Sequence, residues 1–518
     1  MATNYLTPGV YVEEDLSPKG GSGYGDARAI AAFVGVANKG PAVPTLITSW
    51  TQYTNHFGGF TGNSFLPFAV SLYFANGGNR CYIQRAVRSD AVAAVGKLVD
   101  STPGGSSGPL DAVKLEAIAP GTTGNTLTVQ VVPTGAVGRF HLLVLNSGFE
   151  LERFEDLSIN PDDSRYAISI VNSPFAGSQT VKLTNLKVNS TYTYHATNDV
   201  LPAQTATMGT GSEGVAPYDL VAAAKKFEDL DVNIDLNLPG ITSITTLNPI
   251  MAWAKETGKV FVVIDGPKAA EGSTSAQVLA GYTGMVGGAT PLTASSHGAL
   301  YGPWLMCSDP STSLYGAVRL LPPGGAILGR YAANDSLRHV GKAPAGIETR
   351  LNGVLATETR FTKAELDAAA EDHINIIRQV PGHGICVMGS RTLKLELPDR
   401  YVPVRRLLIL LRKQLADITR FAIFEPNGPE LWLQITLVVS RYLSILRRAG
   451  VLAGSTDNEA FFVKCDADNN PQSKINAGMC VIDVGIAFKY PAEFIVIRIG
   501  QHDAGASTSE DSIPGITG

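Results

Sequence analysis

The stretch RYVPVRRLLILLRKQLADITRFAIFEPNGPELWLQITLVVSRYLSILRRAG, residues 400–450, decides how the rest of the chain is read. At roughly 100° per residue, Leu407, Leu408, Leu411, Leu415 and Ile418 share one helical arc. Arg405, Arg406, Arg412, Lys413 and Arg420 share the opposite arc. A second helix is predicted after the breaker Asn427-Gly428, with Pro429 in its first turn and Gly450 as its stop. Its apolar residues Leu431, Trp432, Ile435, Val438, Val439, Tyr442 and Leu446 wrap most of the surface, which predicts a largely buried helix. Between residues 391 and 450 there are 11 Lys/Arg against 5 Asp/Glu, although the whole chain carries −5. Basic charge is therefore concentrated here. Charge pattern alone reads such an arc as a solvated face over an ordinary core.

Outside this stretch, 518 residues allow three or four domains, each with its own core. With 44% hydrophobic and 17% charged residues, the chain reads as globular rather than disordered. Its acidic balance argues against general nucleic-acid binding. Cys81, Cys307, Cys386, Cys465 and Cys480 are widely spaced and include no CxxC pair. That pattern predicts free thiols in a reducing compartment instead of a disulfide framework. No apolar run reaches about 18 residues and no charged-then-apolar leader opens the chain, so neither a signal peptide nor membrane insertion is expected.

From the start, PGVYVEE gives a short alternating strand followed by the glycine-rich residues 20–25. Such a strand lacks a sequence-adjacent partner, so it pairs either within its own sheet or with a neighbouring subunit. Segments 26–100 and 211–345 alternate helix and strand, which predicts one α/β domain built on a mostly parallel sheet. Between them, 105–210 is rich in Thr, Val, Ser and Asn, with turn signals about every 10 to 15 residues. It reads as an inserted β-sandwich or barrel-like domain. A last α+β domain is expected over 346–500, opening with a capping box at Thr362 and Glu365, before a loose tail at 501–518.

Chemistry is hard to find. Gly104–Gly108 matches GxSxG in letters, but Pro103 and Pro109 flank it and leave no strand–helix elbow. Asp466, Asp468 and Asn470 imitate the first ligands of a calcium loop, yet Pro471 and Ala477 stand where Gly and Glu are needed. A turn is the better reading. The Gly-Lys pairs at 96, 258 and 341 precede Leu, Val and Ala, so there is no phosphate-binding GxxxxGK[ST]. The eight histidines do not cluster, and Arg319, Arg330, Arg338 and Arg350 read as solvated turn residues. No catalytic, cofactor or metal site is expected, and an α/β enzyme is the weaker reading because fold does not imply function.

The run RYVPVRRLLILLRKQLADITRFAIFEPN resembles the signature of contractile tail sheath proteins. FVKCDADNNPQSKINAGMCVIDVGIAFKYPAEFIVIRI at 462–499 is similar to the end of the same proteins. PGVYVEE (8–14), AAFVGVANKGP (31–41), SWTQYTNHFGGF (49–60) and DSLRHVGKAPAG (335–346) resemble them in matching order, whereas residues 105–210 do not. The resemblance implies a virion-tail protein assembled in the host cytoplasm as a helical homopolymer, with hexameric rings around a tail tube. It implies contacts with baseplate and tail terminator proteins, and contraction that drives the tube through the host envelope for genome delivery. A phage-tail-like bacteriocin or an extracellular injection particle would use the same kind of subunit. Strands exchanged between subunits are implied for an N-terminal arm, Pro8, Gly9, Val10, Tyr11, Val12 and Glu13, hinged within residues 1–25. A C-terminal arm, Glu493, Phe494, Ile495, Val496 and Ile497, would do the same. The last domain would line the inside, with Arg405, Arg406, Arg412 and Lys413 meeting either an acidic tube or acids of adjacent subunits.

Overall fold

A computed structural model describes residues 28–100, 111–173, 176–186, 201–397 and 399–493. The chain begins in the α/β body with β1 (Ile30–Gly35), β2 (Thr45–Ile47), α1 (Trp50–Phe57), α2 (Leu66–Ala75) and β3 (Cys81–Arg85). An all-antiparallel excursion follows: β4 (Ala93–Val99), β5 (Asp111–Pro120), β6 (Leu127–Pro133), β7 (Arg139–Asn146) and β8 (Phe149–Ser158). It ends with α3 (Ala167–Val171), β9 (Val181–Asn185) and β10 (Gln204–Thr207). The body resumes with α4 (Leu220–Lys225), β11 (Ile234–Asn237), α5 (Ile244–Thr257), β12 (Val260–Asp265), α6 (Ser275–Gly287) and β13 (Gly298–Gly302). Next come β14 (Leu305–Ser308), β15 (Val318–Leu321), α7 (Gly324–Leu337), β16 (Val354–Thr357), α8 (Lys363–Glu371), β17 (Asn375–Val380) and β18 (Gly384–Val387). The last part holds α9 (Val402–Ile418), α10 (Pro429–Arg448), α11 (Asp457–Ala460), β19 (Phe461–Lys464), α12 (Gln472–Asn476) and β20 (Asp483–Ile486).

The central sheet has the order β18-β17-β13-β12-β11-β1-β3-β2, parallel from β17 to β3 with an antiparallel strand at each edge. Its inner strands are covered on both faces, which is why VFVVID and GALYG are buried throughout instead of alternating. Successive residues still point to opposite sides. Phe33, Phe261 and Val263 enter one core, while Ala32, Val34, Val260, Val262 and Ile264 enter the other. The expected capping box at Thr362 and Glu365 starts α8, and a second one, Thr274 with Gln277, starts α6. Because β17 and β18 complete this sheet, it runs past residue 346, where the last domain was expected to begin.

The excursion forms two antiparallel sheets, β10-β6-β7-β8 and β4-β5-β9, around one apolar cluster that includes Leu115, Val129, Leu142 and Val181. It starts at Ala93 rather than at 105, since β4 pairs with β5 across the Gly/Ser-rich residues 101–110. Arg85 ties it to the body: this buried guanidinium donates to the carbonyls of Ala37 (3.2 Å), Gly40 (3.2 Å) and Pro120 (2.9 Å). Glu213 stands 3.6 Å from it.

Candidate assembly surface

Helix α9 is where the sequence and the structure differ most. Val402 and Ile409 enter the α/β core, whereas Leu407, Leu410 and Leu411 enter a separate cluster with α10 and β19. The helix is thus a seam between two cores, and its first two arginines lie in that seam. Arg406 donates to both carboxylate oxygens of Asp235 (3.2 and 2.5 Å) and of Asp335 (3.1 and 2.6 Å). Its guanidinium carbon lies 4.4 Å from the centroid of the Tyr331 ring. Burial alone would lower its basicity, but the two carboxylates outweigh that and hold it firmly protonated. Burial in turn raises the Asp235 carboxyl against the pull of Arg406. Asp335 opens one of the quoted phrases and Arg406 belongs to another, so phrases far apart in the chain meet here.

Arg405 is 2% exposed and pairs with Asp399. The expectation that Arg405 and Arg406 present charge on a solvated face is therefore corrected. The reason is that a helical period identifies an arc but not the acids that another element brings against it. Farther along, Lys413 pairs with Asp231 (2.7 Å) and Asp417 (3.0 Å), and Arg420 with the same two acids at 3.2 Å each. Arg412 lies against Gly258, the left-handed cap of α5, where a Cβ would meet Nη1 at 1.7 Å. Only Arg412, Lys413 and Arg420 of that arc remain at least partly exposed.

Helix α10 buries Leu431, Trp432, Ile435, Val439, Leu443 and Leu446, which from Trp432 on follow at spacings of three or four residues. It is not buried all round, as its apolar content had suggested. Leu433, Leu437, Val438 and Ile445 are exposed at 62, 59, 38 and 51%. Past it, β19 and β20 form a two-stranded antiparallel sheet, Phe461 opposite Ile486 and Lys464 opposite Asp483. Among the described residues no third strand joins it, and beyond β20 the chain makes an isolated antiparallel bridge between Leu452 and Phe488. The chain then returns to the body, where Tyr490 packs on Tyr401 (ring centroids 5.9 Å apart) and the Arg391 guanidinium clasps Glu493. Of the expected arm residues only Glu493 is described. Pro8, Gly9, Val10, Tyr11, Val12, Glu13, Phe494, Ile495, Val496 and Ile497 lie outside the described residues.

The α/β sheet itself has a filled crevice. At the carboxyl ends of β11 and β12, Asp265 accepts from the Gly324 N–H that opens α7 (2.6 Å), from Gly240 N–H (3.0 Å) and from Asn237 (3.1 Å). Open α/β sheets hold ligands at such strand ends, and anions at helix N-termini. Here the chain's own carboxylate occupies that position, and burial raises it to about 6. A cavity of about 10 Å³ beside Asp235, Arg406 and Ile409 has room for no more than a water molecule. Among the described residues no cluster of three or more His, Cys, Asp or Glu is placed to hold a metal, and no helix is long and apolar enough to cross a membrane.

Residues 213–393 match the family model of the phage tail sheath protein central domain. A stretch of 183 residues, 35% of the chain, is 28% identical to the tail sheath protein of Vibrio phage KVP40 (isolate Vibrio parahaemolyticus/Japan/Matsuzaki/1991). The chain spans about a quarter, 26%, of that relative's length. In fold it is similar to the helical sheath of the anti-feeding prophage in the contracted state, with a TM-score of 0.56 and 24% identity over 96% of this chain and 100% of that one. The PVC sheath complex of an extracellular contractile injection system, also contracted, gives a TM-score of 0.56 and 23% identity over 97% and 99%. A sheath tail protein of Listeria innocua gives a TM-score of 0.59 at 10% identity over 86% and 90%.

Proposed function

We propose that this chain, which carries the central domain of phage tail sheath proteins and shares the fold of contractile sheath subunits, is the repeating unit of a contractile sheath. Copies stack as a helical sleeve, in hexameric layers, around a tail tube, bounded by baseplate and terminator proteins. Shortening of the sleeve drives the tube through an envelope. The observation that carries this reading beyond the matches is the two-stranded β19–β20 sheet, which no third strand joins among the described residues. Added strands from the N- and C-terminal arms of neighbouring copies would complete it. Each backbone hydrogen bond so gained contributes roughly 0.5–1.5 kcal/mol net. Repeated along the sleeve, that suffices to hold the lattice together while the α/β bodies swing. The contacts are heterologous and do not close into a dimer.

Work then comes from the difference in contact between two lattice states, the extended one being kinetically trapped, rather than from a nucleotide. The partly exposed basic residues of α9, Arg412 and Lys413, are the ones left to face a tube or a neighbouring subunit. The β-rich excursion, a sandwich-like insertion, lies on the outer surface in this reading. A second reading, the sheath of an extracellular injection particle rather than of a phage, is favoured by the near-complete mutual coverage with the anti-feeding prophage and PVC sheaths. Capsid and terminase genes beside this one would exclude it.

Electron microscopy of the purified protein tests the proposal. The full chain is expected to form cylinders, and removal of residues 1–20 or of everything beyond Pro491 is expected to abolish them with the folded signal in circular dichroism retained. Normal cylinders from either trimmed chain would overturn the exchange of arms. Discrete particles from the full chain would overturn the sheath assignment.

A further inference from the structure

The five cysteines are all free, but two of them are not isolated in space. Cys465, directly after β19, and Cys480, shortly before β20, place their sulfurs 3.9 Å apart. Asn470 fixes this geometry. Its buried side chain donates to the Val481 carbonyl (2.9 Å), accepts from the Val481 N–H (2.6 Å) and faces the Cys465 sulfur at 3.7 Å. Asn469 pins the same turn to the Lys464 carbonyl at 2.7 Å. The string that imitates a calcium loop is thus a turn that carries one thiol to the other, with Asp466 accepting from the Asp468 N–H at 2.9 Å.

We propose that Cys465 and Cys480 are a reversible dithiol–disulfide pair that peroxide closes, stapling β19 to β20. The two thiols differ in character. Cys480 is half-buried, and a hydrogen bond from Cys465 lowers its pKa below the ordinary thiol value. The same contact, and then burial, raises that of Cys465. Cys480 thiolate therefore attacks hydrogen peroxide: the O–O bond breaks, a sulfenic acid forms, and hydroxide leaves. The Cys465 sulfur then displaces hydroxide from the sulfenic sulfur and forms the S–S bond. Each hydroxide leaves as water, with the two thiol protons. Two electrons pass from the sulfurs to the peroxide. Bringing the sulfurs from 3.9 Å to a bond of about 2.05 Å takes rotation of the two Cβ–S arms.

The staple would reach beyond the sheet. Asn427, in the turn between α9 and α10, donates to the carbonyl of Met479 (2.9 Å) and accepts from the Trp432 ring N–H (2.8 Å). On the sheath reading, on which this consequence alone rests, oxidation would stiffen the sheet that receives the arms of neighbouring copies.

The full chain, treated with stoichiometric hydrogen peroxide, quenched with N-ethylmaleimide and digested without reduction, gives the test. Tryptic peptides 465–474 and 475–489 are expected as one species about 2 Da lighter than their sum, which dithiothreitol separates. In Cys465→Ser, dimedone should trap Cys480 as the sulfenic acid. In Asn470→Ala, cross-linking should slow several-fold while the far-ultraviolet spectrum stays unchanged. Independent alkylation of both thiols after peroxide, or a bond from Cys480 to a second copy, would overturn the proposal. The readout needs no assembled cylinder, so failure of the sheath reading would leave it standing.

Discussion

Arg406 joins a helix of the last domain to a strand and a helix of the α/β body, because Asp235 and Asp335 hold its guanidinium on two sides. Such a group is costly to bury and far costlier to leave alone, so it specifies one docking geometry for α9. From the sequence Arg406 was visible as a basic residue at helical spacing, but its burial was not, since both acids lie more than seventy residues away. Asp265 makes the same point and yields a pH dependence. Its carboxyl rises from 3.8 to about 6 on folding, chiefly through lost hydration, which its hydrogen bonds with Gly240, Asn237 and Gly324 only partly offset. Between those values the folded chain keeps a proton that the unfolded chain has released. This group's contribution is therefore fully present below about 3.8 and is lost as pH rises through about 6, by roughly 3 kcal/mol in all. Urea unfolding of the wild type and Asp265→Asn from pH 4 to 6.5 should show the wild type losing most of that amount, about 2 kcal/mol, relative to the variant. Buried His297, lowered to about 3 mainly by burial, gives the opposite slope but is common to both proteins and cancels. A pH-independent difference would refute the assignment.

At the scale of the element, α10 shows what periodicity can and cannot decide. Leu443 is fully buried whereas Leu433 is 62% exposed, although both are leucines of one helix. Leu443→Ala should cost about 2–5 kcal/mol in chemical unfolding of the chain, from lost burial and the cavity left behind. Leu433→Ser and Leu437→Ser together should stay within about 1 kcal/mol. Similar losses at both faces would mean that the exposed leucines are covered within the chain. The existence of both helices, their break at Asn427-Gly428 and the box that starts α8 were legible, because each depends on residues a few positions apart. The parallel order of the central strands was legible only as a class. Which leucines of α10 stay exposed depends on β19, which arrives later in the chain and covers one side alone. The meeting of Cys465 with Cys480 was hidden for a related reason, since a turn of five residues and one asparagine side chain create it.

The whole molecule divides by core. The apolar cluster of the β-rich excursion shares no residue with the other three, and its chain ends come together where Val92 and Ser212 exchange backbone hydrogen bonds of 2.9 and 3.0 Å. A unit with its own core and adjoining ends is removable in principle. Replacing residues 93–211 by a short Gly/Ser turn takes away one acceptor of buried Arg85, the Pro120 carbonyl, but leaves it the carbonyls of Ala37 and Gly40 and the neighbouring Glu213. Loss of one hydrogen bond to a charged group costs about 1.5–3 kcal/mol. The shortened chain should therefore stay folded, with a single cooperative thermal transition lowered by only a few degrees. If the excursion lies on the outside of a sleeve, the same chain should also build cylinders, of smaller outer diameter but unchanged bore. Collapse of the transition would show that the excursion supports the α/β body. A folded chain that no longer polymerises would show that the lattice runs through the excursion instead of around it.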